Sequence, residues 1–120
     1  MANYINAADF KALLAAEDVD QLIAVLNRGG TRALQMDAAV ALGRLGNEKA
    51  VSPLETIILN KYEWIGTRLR SIEALGQIGG SKAVTLLKEL SSYQDFHGDR
   101  NDVLAIQSTA KTALSTLGDD

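Results

Sequence analysis

The chain has no cysteine, a single histidine and a single proline among its 120 residues. The absence of cysteine excludes disulfides, thiolate metal sites and thiol nucleophiles, and it is the usual condition of proteins in a reducing compartment. No stretch approaches the eighteen or more consecutive apolar residues of a membrane-spanning helix, and the first residues lack the basic region of a secretion signal. The sequence therefore predicts a cytoplasmic protein without a membrane span.

Clustered charge is also missing. Twelve basic and fifteen acidic residues give a net charge of −3 and are scattered along the chain. A surface that binds nucleic acid needs grouped lysine and arginine to displace counterions from phosphates, so nucleic acid is not an expected partner.

Candidate chemistry is sparse. His97 stands in "DFHGDRND" beside Asp95, Asp99 and Asp102. The spacing does not match a calcium loop, and zinc usually takes several histidine or cysteine ligands, so we expect a solvated loop and no metal. No catalytic triad or nucleophile with a base can be assembled either. The sequence leaves enzymatic activity open and favours a non-catalytic protein with no cofactor.

The sequence repeats itself. The stretch "ALGRLGNEKAVSPLETIIL" (residues 41–59) returns thirty-three residues later as "ALGQIGGSKAVTLLKEL", and Leu42 recurs as Leu75 and then Leu114. The second spacing is thirty-nine, and the extra residues fall within the polar stretch "SSYQDFHGDRNDV". Self-similarity at a fixed period of this size predicts a repeat architecture.

Each unit is predicted to be a hairpin of a first helix (A) and a second helix (B). Apolar residues recur at three- and four-residue steps, as on one face of a helix, and the alternation typical of strands is absent. The helices are predicted at 7–16, 18–28, 32–45, 48–59, 63–78, 81–92 and 102–117. The predicted fold is all-α, a single domain over 1–120 that forms a superhelical solenoid of about three and a half repeats. It comprises a degenerate hairpin at 7–28, repeats at 31–59 and 63–92, and a terminal helix at 102–117.

Polar and turn-forming residues support these boundaries. Thr31 is placed to cap the first amides of an A helix, and Gly46 to close that helix in a left-handed conformation. Ser81 is expected to cap the next B helix, and Asn101 or Asp102 to cap the terminal helix.

Proline and glycine add two further indications. The sole proline, Pro53, falls in the first turn of a B helix, where its missing amide costs nothing. Gly43 and Gly76 lie inside A helices, where glycine costs about 1 kcal/mol relative to alanine. We expect both glycines at close helix crossings.

The string "DAAVALGRLGNEKAVSPLETII" (residues 37–58) closely resembles the HEAT-like repeat of the phycobilisome-lyase type. The stretch "NKYEWIGTRLRSIEALGQIG" also resembles a lyase segment in which an aromatic-containing loop precedes a helix. The resemblance implies an α-α superhelix and a scaffold or adaptor that binds another protein. As an alternative it implies a small lyase-related subunit that handles a linear tetrapyrrole (bilin) on a phycobiliprotein, or a phycobilisome-associated factor, with a second lyase subunit as partner. The better copy fills the family's pattern with Arg70, Ala74, Leu75, Gly76, Ile78, Gly79, Ala83, Val84 and Leu87.

Aromatic residues mark the first candidate surface for a partner. Tyr62, Trp64, Tyr93 and Phe96 lie in the two segments that join a B helix to the next A helix, with Arg68 nearby. Aromatic residues and arginine are the commonest binding hot spots. The alternative is that Trp64 and Phe96 fold back to cover grooves between repeats, and the sequence does not separate the two.

A second candidate surface lies on the B helices, which line the concave side of such arrays. Positions not needed for packing form mixed polar rows that include Glu55, Lys88 and Glu89. These rows suit protein recognition or plain solvation. The terminal helix is predicted to have a solvent-exposed polar face that includes Gln107. Terminal repeats usually carry such a face for solubility, so we expect a monomer with at most modest self-association.

Overall fold

The computed structural model describes residues 7–28 and 31–118. These residues form α-helices and a short 3₁₀ turn at Glu48–Ala50, and no strand occurs among them. The helices are α1 (Ala7–Ala16), α2 (Val19–Arg28), α3 (Arg32–Leu45), α4 (Val51–Leu59), α5 (Ile65–Ile78), α6 (Gly80–Leu90) and α7 (Arg100–Thr116). The predicted all-α helical repeat fold is confirmed. None of these helices is both long enough and apolar enough to cross a membrane.

The helices form two layers. α3, α5 and α7 are A helices that pack side by side, and each B helix packs against the A helix that follows it, α2 on α3, α4 on α5 and α6 on α7. One continuous core fills the space between the layers. Its fully buried large side chains come from both layers and include Leu22, Leu26, Leu42, Leu54, Ile58, Ile72, Leu75, Leu87 and Ile106.

Several helix ends are as predicted. Thr31 Oγ1 accepts a hydrogen bond from the amide of Leu34 at 3.1 Å, and Gly46 ends α3 with φ of 69°. Pro53 lies in the first turn of α4. Directly after α1 the corresponding left-handed residue is Glu17, with φ of 52°. A side chain in this conformation costs on the order of 1 kcal/mol, in keeping with the degenerate character of the first hairpin.

Two other predicted caps are wrong. The α6 helix begins at Gly80, directly after Gly79 with φ of 70°, so Ser81 lies inside the helix and does not cap it. The α7 helix begins at Arg100 because Asp99 Oδ1 accepts hydrogen bonds from the amides of Asn101 and Asp102. Asn101 and Asp102, the predicted caps, therefore donate their amides to Asp99, which is the cap. The preceding aspartate starts the helix two residues earlier than predicted.

The A helices approach closely where glycine was predicted to permit it. A Cβ atom at Gly43 would lie 2.9 Å from Ala74 Cα, and one at Gly76 would lie 2.8 Å from Ala113 Cβ. Such distances are too short for a real side chain. Each glycine therefore lets its helix pack directly onto an alanine of the next A helix, Gly43 on Ala74 and Gly76 on Ala113.

A repeated side-chain hydrogen bond joins the layers, and the sequence patterns did not predict it. Gln35 Nε2 donates to Leu26 O at 3.2 Å, Arg68 Nε to Ile58 O at 2.8 Å and Gln107 Nε2 to Tyr93 O at 2.7 Å. The donors share the repeat offsets of thirty-three and thirty-nine residues. Leu26 and Ile58 lie in the last turn of a B helix, where carbonyls have no partner within the helix. Gln35 and Arg68 thus satisfy carbonyls that helix geometry leaves free, and Gln107 satisfies a carbonyl of the loop after α6.

One buried hydroxyl in the described part of the chain lacks a partner, and it supports a stability prediction. Thr67 is fully buried on α5, and its Oγ1 forms no hydrogen bond with any described residue. An unsatisfied buried polar group costs about 1–3 kcal/mol. We expect Thr67→Val, which keeps the β-branched shape, to raise the free energy of unfolding by about 1 kcal/mol in urea denaturation.

Ser71 provides the matched control for that prediction. It is equally buried, but its Oγ donates to Thr67 O at 2.8 Å. Ser71→Ala removes a satisfied hydroxyl and is not expected to stabilise the protein. A Thr67→Val protein that unfolds at lower urea than the wild type would contradict the assignment.

Candidate functional site

Two loops at one edge of the array carry the most exposed aromatic side chains of residues 7–28 and 31–118. Residues 60–64 join α4 to α5, and residues 91–99 join α6 to α7. Tyr62 is 87% exposed and Phe96 is 90% exposed. Phe96 therefore does not fold back over a groove, and both rings are available to a partner.

Hydrogen bonds within each loop fix the backbone beside these rings. Asn60 Oδ1 accepts from the amide of Tyr62 at 3.0 Å, and Asp95 Oδ1 accepts from the amide of His97 at 3.2 Å. These are Asx turns, in which a side chain substitutes for a backbone acceptor. Each turn constrains the backbone beside an exposed ring, and constraint of this kind lowers the entropy lost on binding.

A contact between Arg68 of α5 and Tyr93 of the second loop lies beside both loops. The guanidinium of Arg68 lies 5.6 Å from the centre of the Tyr93 ring, and its Nη2 donates to Tyr93 Oη at 3.2 Å. Both side chains line a small cavity of about 40 Å³. Lys61 of the first loop lines it too, as do residues of the second loop that include Asp95 and Asp99. The loops therefore lie next to each other and form a single edge.

The structure corrects the prediction that Arg68 contacts a partner. Its side chain is only 4% exposed, and two of its donors are used inside the protein by Ile58 O and Tyr93 Oη. Tyr93 is half-buried and packs against the core. Arg68 therefore supports the edge from within and is not one of its exposed contacts.

Trp64 lies between the two predicted alternatives. It is 39% exposed. The six-membered part of its indole packs over Gly66, where a Cβ would lie 2.9 Å from the ring, and the guanidinium of Arg32 lies 5.4 Å from the ring. Arg32 begins α3 and was not predicted to belong to this edge. The indole is thus partly covered by the protein, and part of it still meets solvent.

The B-helix candidates lie apart from this edge. Glu55 is half-buried and Glu89 is exposed, and both line a shallow cleft of about 260 Å³ with Lys82 and Thr85. Lys82 Nζ lies 2.7 Å from Ser52 Oγ and hydrogen-bonds to it across the cleft. Lys88 is exposed outside the cleft lining. The structure thus brings Glu55 of α4 and Glu89 of α6 together in a cleft whose lining includes none of the aromatic candidates.

Comparison with known proteins gives one result. A protein-family model described as HEAT repeats matches residues 19–107, from the start of α2 into α7. The match includes both aromatic loops and all three donors of the repeated hydrogen bond. No curated protein and no solved structure matches the chain at a significant level.

Proposed function

Since the chain belongs to the HEAT repeat family, whose members generally mediate protein–protein interaction, we propose that it is a non-catalytic scaffold or adaptor that binds another protein. The exposed edge formed by Tyr62, Trp64 and Phe96 is its proposed contact surface. The observation that carries this proposal is the exposure of Tyr62 and Phe96 on two adjacent, internally hydrogen-bonded loops. Aromatic side chains are frequent hot spots at protein interfaces.

The B-helix cleft is a secondary proposed contact, with Glu55 and Glu89 at its walls and Lys88 beside it. Rim charges of this kind contribute mainly to the association rate and to specificity. The proposed roles are therefore distinct, because the aromatic edge supplies affinity and the charged cleft discriminates among partners.

Site-specific cross-linking tests the aromatic edge. We expect a photoreactive phenylalanine at position 62 or 96 to cross-link the same protein in a cell extract, because both rings face solvent on one edge. The same group at the exposed Ser108 of α7 serves as the control and is not expected to give this product. The Tyr62→Ala/Phe96→Ala double variant is expected to lose about thirtyfold or more in affinity for the captured partner.

Stability separates a binding role from a folding role. Because both rings are exposed, the double variant is expected to unfold within about 0.5 kcal/mol of the wild type. Unchanged affinity in a normally folded double variant, or equal cross-linking from position 108, would contradict the proposed edge.

A lyase-related function is the second proposal, supported by the resemblance of residues 37–58 to the phycobilisome-lyase type of repeat. In that case the partner is a phycobiliprotein or a second lyase subunit, and the cofactor is a linear tetrapyrrole. Mixing the protein with phycocyanobilin should then give a red-shifted, structured absorption band. An unchanged bilin spectrum together with specific cross-linking from positions 62 and 96 would favour the scaffold.

We further propose that the protein acts in the cytoplasm and is monomeric at low micromolar concentration. Lys111, Thr112, Ser115 and Thr116 of α7 are exposed and give that end of the array a polar surface. Gln107, which the sequence also predicted on this surface, is directed inward instead and donates to Tyr93 O.

A further inference from the structure

The A layer has a position at which helix packing is incomplete. Ala74 of α5 and Ala113 of α7 each receive a glycine of the preceding A helix. The residue of α3 at the same repeat position is Ala41. The preceding helix, α1, has no glycine to place there, and its Leu14 remains 41% exposed. A groove of about 520 Å³ lies between α1 and α3, with Ala41 in its lining.

The groove combines an apolar interior with a charged rim. Phe10, Leu14, Leu34, Val40 and Leu45 supply apolar surface. The charges are supplied by Lys11 of α1, by Glu17 directly after α1, and by Asp37 and Arg44 of α3. None of these four charged side chains forms an ion pair with another residue in the described part of the chain. The rim therefore offers both signs of charge to a molecule that enters the groove.

The order of these charges makes the face complementary to itself. Asp37 and Arg44 are seven residues apart, so they lie on one stripe of α3, with Val40 and Ala41 midway between them. If a second α3 lies antiparallel across the first, each Asp37 meets the Arg44 of the other copy. At the other rim, Lys11 lies three residues before Leu14 and Glu17 three residues after it, and an antiparallel second copy brings each Lys11 toward the Glu17 of the other chain. Self-complementarity of this kind is the requirement for a two-fold contact.

We propose that the α1–α3 groove is the contact face of a two-fold homodimer. The α3 helices cross antiparallel near the half-buried Val40, the four rim charges pair between copies, and each exposed Leu14 is covered by the other chain. The face comprises two helices of a small protein, so we expect a weak dimer with a dissociation constant on the order of 10–100 µM. The chain is then monomeric at low micromolar concentration and dimeric above it.

Charge-reversal variants test this contact in the full-length chain. Asp37 and Arg44 are exposed on α3, so Asp37→Lys and Arg44→Glu preserve the fold, which circular dichroism and thermal unfolding check. Each variant alone places two like-charged pairs in its homodimer and is expected to dimerise about tenfold more weakly than the wild type in sedimentation equilibrium. Lys111→Glu on the exposed face of α7 is the matched control and leaves dimerisation unchanged.

The mixture of the two single variants gives the decisive result. In an antiparallel two-fold contact, the lysine introduced at 37 meets the glutamate introduced at 44, and the unchanged Arg44 meets the unchanged Asp37. We therefore expect the equimolar mixture to form a heterodimer at wild-type strength, and the Asp37→Lys/Arg44→Glu double variant to recover its homodimer. Raised salt should weaken the wild-type dimer, because the pairs are at the rim.

Three outcomes would overturn the proposal. A wild-type chain that stays monomeric up to millimolar concentration would show that the groove does not bind a second copy of the chain. Dimerisation that both single variants retain would place the contact elsewhere on the surface. Failure of the mixture and of the double variant to recover association would exclude the antiparallel pairing of Asp37 with Arg44.

Discussion

Replacing Arg68 with alanine is expected to lower the free energy of unfolding by about 3 kcal/mol, although arginine is usually a surface residue. The side chain is buried, Nε donates to Ile58 O at 2.8 Å and Nη2 donates to Tyr93 Oη at 3.2 Å. Truncation leaves a carbonyl near the end of α4 without its donor, at about 1–3 kcal/mol for a buried polar group. It also removes the stem of Arg68 from the core. Urea denaturation followed by circular dichroism measures the loss.

The repeats themselves supply the control variant for this experiment. Gln35 and Gln107 perform the same task with a neutral amide at the equivalent positions. Arg68→Gln should therefore retain the bond to Ile58 O, lose the contact with Tyr93 and cost about 1 kcal/mol. Equal losses for the alanine and glutamine variants would show that the carbonyl bond contributes little. An Arg68→Ala protein as stable as the wild type would contradict the structural role altogether.

The repeat fold could be predicted because its determinants are local and periodic. The cap at Thr31, the left-handed end at Gly46 and the glycines at 43 and 76 each depend on neighbouring residues or on one packing contact. Periodicity then shows the same feature twice, which separates a signal from chance. Helix ends near the loops were less accurate because several polar residues compete to cap. Asp99 caps α7, although Asn101 and Asp102 are also suitable residue types.

The role of Arg68 was harder to predict for a physical reason. A charged side chain is normally solvated, and the sequence shows no acidic partner at a fixed spacing that would indicate burial. The signal present is the offset that Arg68 shares with Gln35 and Gln107, all three of which donate to a backbone carbonyl. Residue identity differs among the three, so a search for identical residues overlooks them.

Exposure within the aromatic loops also could not be read from residue type. Tyr62 and Tyr93 are the same residue in equivalent segments, yet one is almost fully exposed and the other packs against the core. The ring of Tyr93 lies against the buried guanidinium of Arg68, whereas the cation beside the ring of Tyr62 is the exposed Lys61. In the same way, the groove beside α3 depends on how α1 packs, which the weak repeat signal of residues 7–16 does not specify.

The crossing of α3 and α5 should be highly sensitive to side-chain size. At Gly43 a Cβ would meet the backbone of Ala74, which cannot move aside as a flexible side chain can, and would also meet Gln77 Oε1. Gly43→Leu must therefore separate two helices that share the central core. Overpacking of this kind costs about 1–3 kcal/mol, whereas the gain in helix propensity from replacing glycine is about 1 kcal/mol. We expect the separation of the helices to dominate, and the thermal midpoint to fall by several degrees.

Substitution of Ser115 tests whether the expected fall in thermal midpoint comes from helix packing or from the introduction of leucine as such. It occupies the same repeat position on α7 as Gly43 and Gly76 do on α3 and α5, but it is exposed. Ser115→Leu introduces an equally large side chain at an exposed position of an A helix, so its thermal midpoint should stay near the wild-type value. Gly76→Leu, directed at Ala113, should behave like Gly43→Leu. Equal midpoints for the glycine and serine variants would mean that the A helices do not meet at their glycines, and the register of the repeats against one another would then be wrong.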